Sequence, residues 1–175
     1  MSKLPNPETL AALVSNVTRT MCDVTFVPGD AMGRGESICR QMVMIPLRGD
    51  PNVTVVVASD ARGSRSLAAA FFGREPSQVT QQMVDDAIAE LLNMVAAQIS
   101  TALGSTHALG LPARTTLPEI AAGGGLRLDQ AALLHSEGKI DLGLWILESP
   151  GEGPAAAEPA PGGFRSLIRK FSGGH

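Results

Sequence analysis

The stretch Asp85-Asp86-Ala87-Ile88-Ala89-Glu90-Leu91-Leu92-Asn93-Met94-Val95-Ala96-Ala97-Gln98 lies inside a helical pattern running from about Thr80 to Leu103. Thr80 suits an N-cap, because its hydroxyl can satisfy an orphan N–H of the first turn. Gly104 stands where a left-handed C-terminal cap belongs. Asp85 and Asp86 fall early in the helix, where carboxylates favour the positive end of the peptide dipoles. Met83, Ala87, Ile88, Leu91, Val95, Ile99 and Ala102 recur at three- and four-residue steps, which predicts one apolar face against a core. At about 100° per residue, Asp86, Glu90, Asn93 and Ala97 fall within a fan of roughly 60° on the other side. Glu90 and Asn93 are i,i+3 neighbours and address the same point in space.

That pair admits two readings. A charged and amide face opposite a core stripe is what any amphipathic helix shows. Alternatively it is a site offered to a partner, since Ala96 and Ala97 follow the Asn and leave a low shelf for close backbone approach. An acid and an amide hold no activated nucleophile, so they do not form covalent intermediates unaided. They can orient a water and pair with a cation in another protein's active site.

The chain has 175 residues, a formal net charge of −3 and 44% apolar content, which suits one globular domain plus tails. Mild acidity and scarce aromatics, with Trp145 alone and no Tyr, argue against a nucleic-acid partner, which needs basic patches and stacking platforms. No run approaches the roughly 18 apolar residues of a membrane span, and the N-terminus lacks an apolar signal core. The expectation is a cytoplasmic protein. Cys22 and Cys39 then stay reduced and act as buried small hydrophobes.

Pro7 to about Thr20 reads as a first helix with Leu10, Leu13, Val14 and Val17 buried. Val24 to Val27 reads as a short strand ended by Pro28-Gly29-Asp30. Arg40 to Leu47 and Val53 to Ala58 form a predicted antiparallel hairpin about the turn Arg48-Gly49-Asp50-Pro51-Asn52, where Arg-Gly-Asp is turn chemistry rather than an adhesion motif. Ser59 or Asp60 caps a short helix closed by Gly73, with Leu67, Ala68, Phe71 and Phe72 in the core. Thr115 to Ala121, Leu126 to Leu134 and Ile140 to Glu148 read as extended, with turns at Gly123-Gly124-Gly125 and Ser136-Glu137-Gly138-Lys139. In the last strand Ile140, Leu142, Leu144 and Ile146 share one face, while Asp141, Trp145 and Glu148 break the alternation. The expected fold is α+β, an antiparallel sheet with a long central helix and shorter helices packed on one side.

Residues 150–163 form a Pro/Ala/Gly-rich linker too poor in large apolar groups to fold, expected to be disordered. Beyond it Phe164, Leu167, Ile168 and Phe171 fall at i, i+3, i+4 and i+7, among Arg165, Arg169 and Lys170, so residues 164–175 read as a basic amphipathic peptide. Eight residues make a marginal helix in water, so it forms mainly in a partner's groove or on an anionic membrane. The alternatives are a disordered solubilising end or one that packs on its own domain. His107, His135 and His175 lack metal-ligand spacing, His135-Ser136 falls in a predicted hairpin turn, and neither cysteine has a nearby His arrangement. No metal site of its own is expected.

The order helix, strand, hairpin, short helix ending Leu67-Ala68-Ala69-Ala70-Phe71-Phe72-Gly73, then Asp86-x-x-x-Glu90-x-x-Asn93-Met94-Val95-Ala96-Ala97-Gln98, resembles the CheX/CheC class of chemotaxis phosphatases. In that family an Asp or Ser, a Glu and an Asn share one helix at this spacing, and a proline follows a little over twenty residues on. Pro118 is the best match to that proline and arrives about two residues late, which implies a different intervening loop. The resemblance covers about Pro7 to Ser149, so the implied phosphatase domain is residues 1–149. The first helix does not repeat the Glu-x-x-Asn pattern, which points to the CheX branch.

The resemblance implies hydrolysis of the aspartyl phosphate on a CheY-type receiver domain, which supplies the phosphoryl group, a Mg ion and a lysine. Glu90 and Asn93 are then the catalytic residues, Asn93 orienting the water and Glu90 docking on that lysine. Asp86 and Ala97 contribute to partner binding, and Phe164, Leu167, Ile168 and Phe171 are the tail's binding positions. The protein needs no cofactor of its own. A homodimer and an anionic membrane are further partners the sequence allows. The competing class is a non-catalytic adaptor or dimerisation module of the same fold in a chemotaxis or motility complex.

Overall fold

The computed structural model describes residues 4–29, 41–122, 127–136 and 140–148. Helix α1 (Pro7–Cys22) starts with Pro7 in its first turn and Asn6 accepting from the Thr9 N–H. It buries Leu10, Ala11, Val14, Val17 and Thr18, with Leu13 only half-buried, and runs past its expected end to a left-handed cap at Asp23. The Thr18 hydroxyl donates to the Val24 carbonyl at 2.6 Å, holding the departing chain against the helix. The expected strand at Val24 therefore begins later, and β1 is Phe26–Pro28.

Strands β2 (Gln41–Arg48) and β3 (Val53–Ser59) make the expected antiparallel hairpin, with Leu47 opposite Val53. Its turn contains a cis Asp50–Pro51 bond, and the Gly49 N–H donates to Asn52 Oδ1. Helix α2 (Ala61–Phe72) is capped by the Asp60 carboxylate and closed by Gly73 at φ 59°, a backbone that Gly adopts without strain. A single 3-10 turn (Pro76–Gln78) leads to α3 (Gln81–Ala102). Two short strands, β4 (Ala108–Leu109) and β5 (Ala113–Arg114), then pair with β2 along the sheet edge. Strands β6 (Arg127–Ser136) and β7 (Asp141–Glu148) complete a seven-stranded antiparallel sheet of order β1-β6-β7-β3-β2-β4, with β5 also on β2.

The segment Thr115 to Ala121, expected to be extended, instead contains helix α4 (Leu117–Ala122). The reason is a reciprocal cap: Glu119 Oε2 accepts from the Thr116 N–H at 2.8 Å while Thr116 Oγ1 accepts from the Glu119 N–H. Pro118, whose missing N–H costs nothing in a first turn, completes the start signal.

The sheet is covered on both faces, not on one. The larger core joins α1, α2 and α3 to Val43, Ile45, Val55, Val57, Leu142, Leu144 and Ile146. On the opposite face Met42, Val56, Ala58, Leu133, Trp145 and Leu147 pack with Leu117 and Ile120 of α4. Trp145 thus follows the pleat rather than breaking it, burying its ring on the second face. Phe71 is half-buried and packs against the larger core as expected, whereas Phe72 is 42% exposed, contrary to its expected core position. They fall in the last turn of α2, where the chain turns away at Gly73, and their rings meet edge to edge-face with centroids 6.1 Å apart. Among the described residues, no helix is long and apolar enough to cross a membrane. The turns at 123–125 and 137–139, Cys39, His175, the linker 150–163 and the peptide from Phe164 to Phe171 lie outside the described residues.

Candidate functional site

Helix α3 is capped as expected: Thr80 Oγ1 accepts from the Met83 N–H, and Gly104 takes φ 71°. Its buried side is broader than the single stripe predicted, adding Val84, Leu92, Ala96 and Ser100, because the helix lies on β2 and β3 while α1 and α2 pack along it. Ala102 is exposed and Met83 half-buried, so the predicted stripe overshoots at both ends. Leu91, Leu92, Val95 and Ala96 are all 0% exposed, which fixes the rotation of the helix about its axis.

With that rotation fixed, Asp86, Glu90 and Ala97 are exposed and Asn93 is half-buried on the outer side of the helix. Glu90 and Asn93 stand one turn apart on this face. The low shelf is not Ala96-Ala97: Ala96 points into the core, and the small neighbours of Asn93 are Ala97 at i+4 and half-buried Ala89 at i−4. Among the described residues, no intramolecular hydrogen bond or ion pair engages the side chains of Asp86, Glu90 or Asn93.

One flank of this face carries an arrangement that periodicity did not single out. Asp85 accepts from Gln81 Nε2 at 3.0 Å and forms an ion pair with Arg114 of β5. The Gln81–Asp85 pair is an i,i+4 couple legible in the sequence, whereas Arg114 reaches Asp85 only because β5 docks on β2 beside α3. At the other end, buried His107 has Ser100 Oγ 3.1 Å from Nδ1, and its Nε2–H donates to the Pro51 carbonyl at 2.9 Å. His107 therefore ties the end of α3 to the β2–β3 turn, which is a packing role.

His135 lies at the end of β6 and not in a turn, with Nδ1 2.6 Å from Asp141 Oδ1 of β7. Pro118 sits in α4, on the sheet face opposite α3. Cys22 is half-buried rather than fully enclosed; its burial raises the thiol pKa, an effect larger than the opposing hydrogen bond at Val24. Among the described residues, no cluster of three His, Cys, Asp or Glu side chains could hold a metal ion.

These elements define the class: an antiparallel α+β domain whose long sheet-backed helix turns an acid-and-amide face outward. The family model for the chemotaxis phosphatase CheX matches residues 42–136, more than half of the chain and all of α3. The chain belongs to the CheX family of chemotaxis phosphatases. Its fold is similar to the chemotaxis protein CheX of Vibrio vulnificus, with TM-score 0.62 and 15% identity over 85% of this chain and 99% of that one. It is likewise similar to the CheX–CheY–BeF3–Mg2+ complex from Borrelia burgdorferi, with TM-score 0.59 and 17% identity over 84% of this chain and 99% of that one. A chemotactic CheC-like protein from Shewanella oneidensis matches with TM-score 0.56 and 14% identity, over 84% and 98% of the two chains. No curated protein matches the chain in sequence.

Proposed function

We propose that the protein hydrolyses the aspartyl phosphate of a CheY-type receiver domain, with Asn93 and Glu90 completing an active site that belongs mostly to the receiver. The observation that supports this most is the outward placement of Glu90 and Asn93, one turn apart on α3, in a member of the CheX family. The complex of a CheX with a CheY from Borrelia burgdorferi supports the choice of partner.

The receiver brings the phosphoryl group, its Mg ion and a lysine beside the phosphoryl oxygens. What in-line attack still needs is a held water. The Asn93 carboxamide can accept a hydrogen bond from that water through its oxygen and donate one to it through its N–H, holding the water oxygen in line behind phosphorus. The water oxygen forms the new P–O bond as the bond to the aspartyl oxygen breaks. The electron pair leaves with the carboxylate, and the water's proton goes to the phosphate released. Glu90 pairs with the receiver's lysine and sets the register, Asp86 adds to the rim, and Ala97 keeps the approach clear. Phe164, Leu167, Ile168 and Phe171 act separately, as an apolar anchor on a second partner or an anionic membrane.

Phosphorylated receiver should lose phosphate faster with the wild-type protein than alone. Asn93→Ala should remove on the order of 10²–10³ of that acceleration, ~2.7–4 kcal/mol, by analogy with deleting one transition-state donor. Identical decay with wild type and Asn93→Ala would leave the domain as a binding adaptor.

A further inference from the structure

We infer that Arg114, held by Asp85, is a docking residue that pairs with a carboxylate of the phosphorylated receiver at the rim of the interface. The inference rests on the reading of Glu90 and Asn93 given above. Arg114 comes from the sheet edge, yet its guanidinium reaches α3 and meets Asp85 while 62% of its side chain stays exposed. Asp85 is gripped a second time, by Gln81 Nε2 at 3.0 Å, so the carboxylate that holds the guanidinium is itself held. A guanidinium has five N–H donors and one carboxylate engages at most two, so donors remain for a second acid. A cation already immobilised loses less rotamer entropy when a partner arrives. An exposed ion pair adds little to folding stability, so removing the Arg114 charge should leave the thermal midpoint nearly unchanged.

Position supports the same conclusion. Asp85, Ala89, Asn93 and Ala97 follow one another at i+4 steps and make one ridge along α3. Asp85 and Asn93 are about 12 Å apart along that ridge at 1.5 Å per residue. Eight residues also turn the helix by about 80° net, so Asp85 is offset to one side of Asn93. A standard interface covers about 800 Å² per partner, a disc of about 16 Å radius, and one centred on Asn93 has the Asp85–Arg114 pair at its edge. Asp86 and Glu90 are negative along the stripe, and the flank carries the Asp85–Arg114 pair, whose exposed guanidinium is a cationic group there for a carboxylate to meet. A receiver with its lysine against Glu90 and a carboxylate against Arg114 fits in one register, and a shifted register brings like charges together.

The test is steady-state dephosphorylation of a phosphorylated receiver by the full-length protein, with KM and kcat read separately and thermal midpoints measured alongside. Arg114→Gln, which keeps a hydrogen-bonding group beside Asp85 but no charge, should raise KM about two- to fivefold at low salt with kcat held. Arg114→Lys should recover part of that loss. The gap between wild type and Arg114→Gln should close as added salt shortens the Debye length to about 3 Å near 1 M. An unchanged KM and salt response in Arg114→Gln, with wild type active, overturns the inference alone. So does a KM rise that follows a fall in thermal midpoint and ignores salt. No acceleration by wild type overturns the proposed function, and this inference with it.

Discussion

Glu90 and its neighbour Leu91 differ by one position and by everything physical: the first is exposed, the second is 0% exposed. Glu90→Ala and Asn93→Ala should shift unfolding free energy by no more than roughly 0.5 kcal/mol, as substitutions outside the core do. Leu91→Ala removes buried methyls and leaves a cavity, and should cost about 2–5 kcal/mol. Urea unfolding of the three variants checks this, and a stability loss in Asn93→Ala as large as that of Leu91→Ala would tie the residue to the fold instead. Cys22 permits a pH experiment at the same scale. Burial disfavours its thiolate, so the folded thiol titrates above its unfolded range, and alkylation stays slow until the pH rises further than a free thiol needs. In a Cys39→Ser background, iodoacetamide at pH 8 should label the folded protein more slowly than the urea-unfolded chain. Equal rates would contradict the shift.

Elements show how far local signals carry. The caps of α2 and α3 were legible because Asp60 and Thr80 each precede a periodic apolar run, whereas the start of α1 was read from Pro7 and its Asn6 cap emerged only from the structure. The start of α4 was equally local, in Thr116-x-x-Glu119 with Pro118 between, but the apolar residues around it also fit a strand. Strand β7 carries a constraint visible only after folding. A Cβ placed on Gly143 would come within 2.5 Å of the Trp145 ring, which therefore lies across that glycine. Gly143→Ala should cost about 1–3 kcal/mol through overpacking. Trp145 is the only Trp, so its fluorescence reports the lowered midpoint directly. An unchanged midpoint would show that the ring shifts aside without cost.

At the scale of the molecule, the site and the tail are expected to act independently. If the tail anchors the protein to an anionic membrane, the full chain should sediment with anionic vesicles. Replacing both Leu167 and Ile168 by Glu should abolish this, with turnover of a soluble phosphorylated receiver unchanged. No sedimentation of the wild type would leave the tail to a protein partner. Loss of turnover in that variant would place the tail in the catalytic complex. The same scale explains why the sheet needed α4. With Val56, Trp145 and Leu147 directed away from the three larger helices, the second face carries too much apolar surface to leave in water.

The amino-acid order alone determined the long helix, its caps, the hairpin, the α+β class and the candidate pair, since each rests on spacings within a few residues and on 3.6- or 2-residue periods. Which alanine beside Asn93 is the open one, how Trp145 is buried, and that Arg114 meets Asp85 were decided only by tertiary structure. Those outcomes depend on what packs against each element from elsewhere in the chain, and distances between strands and helices brought together by folding leave no local periodicity to read.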